Sequence, residues 1–209
     1  MKKECYFISL IFKPRETMAK LEKDPHKIFK SFRCMLIMSL LYGLASFCIS
    51  LNNIPSSLKP CLNLPEDRYY FYQSFFICPV IISGWLLMSG FGFLLSKALK
   101  GKGDFENILV FTGYCIAVPT YITLLADLIT SLTQYSKLVD ARWWADQIST
   151  FGTWPFYFLW TIMLAEVVLI ILYLSIAFIK TQNFTKVKST IIALITFIIY
   201  QSFLLLFIR

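Results

Sequence analysis

Five long apolar stretches alternate with short polar connections: Cys34–Leu51, Phe75–Leu95, Ile108–Leu132, Phe156–Ile179 and Ser189–Ile208. A hydrocarbon core of about 30 Å takes roughly 20 residues of helix, and each stretch is close to that length. Lipid offers backbone N–H and C=O groups no partners, so the stretches are expected to be helical. Strands of a membrane barrel alternate apolar and polar positions and run near ten residues, which these do not. A surface helix of a water-soluble domain also alternates faces. The pattern predicts an all-α polytopic membrane protein with five transmembrane helices. Two parts are expected, a basic segment over residues 1–33 and a membrane domain over 34–209.

Ahead of the first span the period changes. Pro14 suits the first turn of a helix, and Arg15–Lys23 reads as a short amphipathic helix with Met18 and Leu21 on one side, ended by Asp24-Pro25. With Tyr6, Phe7, Ile11 and Phe12 before it, the segment is expected to lie on the inner headgroup layer. The opening MKKECYFISLIFKP has an apolar core of only Cys5–Phe12, and no small-residue cleavage site follows, so it is expected to be retained. No soluble domain is expected at either end.

Charge orients the chain. Of its twenty basic residues, fifteen fall before the first span or in the second-to-third and fourth-to-fifth connections. The positive-inside rule then places the N-terminus in the cytoplasm and the C-terminus outside. The net charge of +8 needs no nucleic acid, because anionic headgroups suffice as its partner. Trp143-Trp144, Tyr69, Tyr70, Tyr72 and Trp154 suit the interfacial aromatic belt. Six cysteines and one histidine, with no CxxC pair, give neither a zinc set nor any other cofactor site. Cys61 in the first outer loop could bridge to Cys48 or Cys78 in an oxidising compartment.

Two acids fall within the spans. Glu166 is near the middle of the fourth, and Asp127 lies roughly 10 Å beyond the midpoint of the third at about 1.5 Å per residue. An ionised carboxylate is expensive there, and such residues usually face the bundle interior. Gly113, Ala117, Thr120, Thr123, Asp127, Thr130 and Gln134 share one face of the third span. This stripe supports either a proton or cation path using Asp127 and Glu166, or an interhelical hydrogen-bonded seam with Glu166 bonded to a hydroxyl. Pro119 beside it is expected to kink the helix, with nearby hydroxyls satisfying the freed carbonyl. Ser39 with Gly43, and Ser83-Gly84, Ser89-Gly90 and Gly92, suit close helix packing. Gly101-Lys102-Gly103-Asp104 reads as a tight turn. No GxSxG, HExxH or histidine–carboxylate constellation points to hydrolysis, so no enzyme is expected.

Gly101, Gly103, Phe105, Gly113, Tyr114 and Pro119, in that order across the inner turn and third span, resemble the Yip family of Rab/Ypt-interacting membrane proteins. The early Lys13-Pro14 and the charged Lys180–Lys188 connection extend the likeness through nearly the whole chain. The resemblance implies five spans, a cytosolic N-terminus and a scaffold or adaptor that organises membrane partners or lipids without catalysis. The chain lacks the long N-terminal region and Asp-Leu-Tyr-Gly-Pro element of eukaryotic members. That argues against small-GTPase binding and for a prokaryotic plasma membrane; in a eukaryote the endoplasmic reticulum or Golgi would be expected. The lipid bilayer, other membrane proteins and further copies of the chain are the expected partners. The alternative is a small transporter or channel subunit using the third-span stripe.

Overall fold

The computed structural model describes residues 6–51, 62, 64–65, 68–136, 138, 143, 146–147 and 150–208. Two short helices, α1 (Tyr6–Phe12) and α2 (Pro14–Glu22), precede five long ones: α3 (Lys27–Leu51), α4 (Tyr69–Ala98), α5 (Phe105–Tyr135), α6 (Trp154–Gln182) and α7 (Lys186–Leu205). Each of the five is long and apolar enough to cross a membrane, and no strand lies among the described residues. Most begin several residues before the apolar stretch that marks them. A helix loses nothing by continuing into the headgroup layer, where lysine stems snorkel.

The third apolar stretch forms the centre. Every residue from Val110 to Thr120 is buried, so α5 is enclosed on all sides over that length by α3, α4 and α6. Small side chains there (Gly113, Cys115, Ala117) let the neighbours approach closely, which is how helices associate where lipid removes the hydrophobic drive. Towards its C-terminal end α5 turns Ile122, Leu125, Ile129 and Leu132 outward. α4 and α6 each also contact α7, closing the bundle. α5 runs unbroken through Pro119. The hydroxyls of Thr120 and Thr123 donate to a side chain on α6 and not to the carbonyl that the proline frees.

α2 starts on Pro14 and ends before Asp24, as its sequence predicts. Its apolar side is not available to lipid: Thr17, Met18 and Leu21 are buried, with the helix against α6. α1 packs on α5, where Phe7 meets Tyr121 edge to face at 4.9 Å. The exposed apolar surface of this arm lies instead on α1, at Ile8, Ile11 and Phe12. Asp24 clasps the arm, accepting from the Tyr6 hydroxyl at 2.8 Å, from the His26 backbone N–H at 2.8 Å and from the Lys30 ammonium. Lys30, with help from His26 and Tyr6, holds the Asp24 carboxyl down to about 2 against the opposing effect of burial.

Tyr69 departs from its expected place in the aromatic belt. It is fully buried, and its hydroxyl donates to the Phe207 carbonyl at 2.6 Å, tying the start of α4 to the end of α7. Trp143, Trp154 and Tyr72 are exposed, as belt residues should be. Trp144 and Cys61 lie outside the described residues, and with Cys61 the suggested disulfides; the Cys78 thiol sits 3.2 Å from the Ser39 hydroxyl.

Candidate functional site

The polar stripe on α5 meets α6 at mid-span. The Thr120 hydroxyl donates to one oxygen of Glu166 at 2.6 Å and the Thr123 hydroxyl to the other at 2.5 Å. Residues 120 and 123 are one helical turn apart, so their hydroxyls present a matched pair to a carboxylate that projects between them. Both oxygens of the most costly group in the span are thereby satisfied across a helix boundary.

The stripe is not uniform along its length. Gly113 and Ala117 are packed tight, and a Cβ on Gly113 would stand 2.3 Å from the Ser31 hydroxyl and 3.2 Å from the Trp85 ring. Thr120 and Gln134 are buried, whereas Thr123, Asp127 and Thr130 between them are half-buried. Asp127 shares no hydrogen bond with Glu166 but lies within its electrostatic reach. Tyr42 of α3 is within reach of both acids, and Tyr200 of α7 is within reach of Glu166.

A second network joins α4 to α5. The Trp85 indole N–H, in mid-span, donates to the Leu109 carbonyl at 3.0 Å and to the Thr112 hydroxyl at 3.2 Å, and Thr112 lies 2.7 Å from the Ser89 hydroxyl. The Ser31 hydroxyl donates to the Val110 carbonyl at 2.9 Å, adding α3. A tryptophan away from the belt carries an N–H that must find a partner; that was a signal for this site in the sequence.

The glycines of the inner turn serve a third contact. α4 ends with Lys100 in the left-handed region at φ 61°, the Lys100 N–H bonding Lys97 O at 2.9 Å and the Gly101 N–H bonding Ser96 O at 2.7 Å. This pair of bonds is a Schellman stop. The reversal therefore starts one residue before the expected turn, and the glycines are there for another reason. Gln182, the last residue of α6, accepts from the Gly103 N–H at 3.0 Å. A Cβ at Gly101 would fall 2.3 Å from its Oε1, and one at Gly103 would fall 2.3 Å from its Nε2 and 2.5 Å from the Thr181 carbonyl. Phe105 stacks edge to face on Phe93 at 5.6 Å, while Tyr114 and Pro119 are buried in α5. Gly90, in contrast, faces open space and packs against nothing.

No group of three or more histidine, cysteine, aspartate or glutamate residues able to hold a metal lies among the described residues. The Yip1 domain profile matches residues 8–208 of the chain. An uncharacterized protein of Methanocaldococcus jannaschii is 29% identical over 109 residues, covering 51% of this chain and 75% of the archaeal one. No solved structure matches the chain.

Proposed function

Because the chain belongs to the Yip1 domain family, we propose that this multi-pass membrane protein is a scaffold or adaptor that gathers membrane partners or lipids at its surface and performs no catalysis. The archaeal relative supports a prokaryotic-type member, and with it a prokaryotic plasma membrane. The distribution of lysines and arginines supports a cytoplasmic N-terminus and an external C-terminus.

The observation that carries the reading is the Glu166 carboxylate, both of whose oxygens are occupied by α5 hydroxyls. A group so held joins helices and is not presented to a substrate. A continuous conducting path along the stripe is disfavoured, because beneath Thr120 the same face closes on Ser31 and Trp85. What remains for recognition is the outer surface and the basic end of the bundle.

Crosslinking in the membrane at native expression level, with mass spectrometry of the products, tests this. A stoichiometric membrane-protein partner or a self-crosslink that persists in Glu166→Gln supports the scaffold. Loss of every crosslink in a Glu166→Gln protein that remains folded would falsify it.

A further inference from the structure

The depth of α1 along the bundle is set by contacts at its start. The Tyr6 hydroxyl bonds Asp24 at 2.8 Å, and the Lys30 ammonium stands 5.0 Å from the centre of the Tyr6 ring. Beside it the Phe7 ring meets Tyr121, whose hydroxyl donates to the Cys34 carbonyl at 3.2 Å. Lys30 and Cys34 are one turn apart on α3. Between them the basic segment gives way to the first apolar stretch. α1 is thus held at the level where the hydrocarbon layer begins.

The side of α1 turned away from the bundle carries Ile8, Ile11 and Phe12, the last 78% exposed. At the same end of α3, Ile28, Phe29 and Phe32 are exposed too, Phe29 to 66%, and they interleave with Lys27, Lys30 and Arg33. Water gives no reason to bare so many large apolar side chains, and pure hydrocarbon none to mix them with cations; the headgroup layer accommodates both. The acids nearby already have cations. Lys13 pairs with Glu16 at 3.6 Å, Lys27 with Glu106 at 3.2 Å, and Lys30 with Asp24. Arg15 and Arg33 are exposed and have no ion pair or hydrogen bond from their guanidinium groups among the described residues. Their planar forks suit the oxygens of a phosphate.

We propose that this patch, α1 with the first two turns of α3, binds anionic phospholipid. Arg15 and Arg33 engage the phosphates, while Phe12 and Phe29 sit among the upper acyl carbons. Every phospholipid carries a phosphate, but the surplus positive charge selects those whose headgroup is negative overall. The proposal rests on the scaffold reading and deepens it, naming one class of molecule that the basic end gathers.

Native mass spectrometry of the full chain, released from micelles equilibrated with equal amounts of phosphatidylglycerol and phosphatidylcholine, tests it. The wild-type protein should retain phosphatidylglycerol in preference. Arg15→Gln combined with Arg33→Gln should lower that preference by about fivefold for each charge removed. Phe12→Ser combined with Phe29→Ser should lower retention of both lipids. All four side chains are exposed, so the fold does not depend on them. Equal retention of the two lipids by the wild type overturns the proposal. A preference unchanged in the arginine variant does so as well, because the lipid is then bound elsewhere. Displacement of phosphatidylglycerol by inorganic phosphate, but not by chloride at the same ionic strength, would replace the lipid site with a plain anion site. A lipid-free dimer that the phenylalanine variant abolishes would show a second copy covering the patch instead. The chain is measured here without any protein partner, so these outcomes leave the crosslinking test of the scaffold reading to stand or fall separately.

Discussion

Gly103 and Gly113 look alike in the sequence, yet a methyl group meets a different obstacle at each. At Gly113 the nearest atom is the Ser31 hydroxyl, a side chain that can yield. Gly113→Ala should therefore cost about 1–3 kcal/mol, the usual range for overpacking a tight site, and adding Ser31→Ala should restore part of it. At Gly103 the obstacle includes the Thr181 backbone carbonyl, which cannot move without shifting the end of α6. Gly103→Ala should lose more than Gly113→Ala, and no change at residue 31 should rescue it; equilibrium unfolding in mixed micelles checks both. Lys100→Gly should go the other way and gain about 1 kcal/mol, because only the lysine's Cβ is strained at φ 61°. Glycine spacing made these positions conspicuous in the sequence. Their partner Gln182 was not, since a glutamine after Lys180 and Thr181 looks like any polar residue leaving a membrane.

Among the elements, the N-terminal arm departs furthest from what its periodicity suggests. The apolar spacing of Met18 and Leu21 located the helix and its first turn, but spacing is blind to what covers the face, and here the cover is α6. The Asp24 clasp makes attachment of the arm dependent on pH. Its carboxyl is held below the ordinary 3.8, so the clasp stabilises the folded arm fully above that value and is lost as pH falls through about 2. Pepsin, active in acid, should cleave within α1 and α2 increasingly as pH drops through this window. In Asp24→Asn it should already do so at the upper end. Equal cleavage of both proteins throughout would show that the arm is held by other contacts.

For the whole molecule, five helices long and apolar enough to span lie among the described residues, and crossing by all five would put the two ends of the bundle on opposite sides of the membrane. Cysteines introduced singly at exposed Lys20 and at Leu206 should thus react with an impermeant maleimide from opposite faces of sealed vesicles, Lys20→Cys from the cytoplasmic one. The number and order of spans were legible because a bilayer demands a run of apolar residues that chance seldom supplies. Which span sits in the middle was legible only in part: the small and polar stripe marked α5 as turned towards other helices, but not as enclosed on every side. That enclosure has a consequence for biogenesis. As the chain leaves the ribosome, α5 enters the bilayer with α3 and α4 already made, while α6, which supplies Glu166 for Thr120 and Thr123, is still to come. A chain stopped after α5 would leave its central helix open to lipid along one flank, a natural mark for quality-control proteases to read.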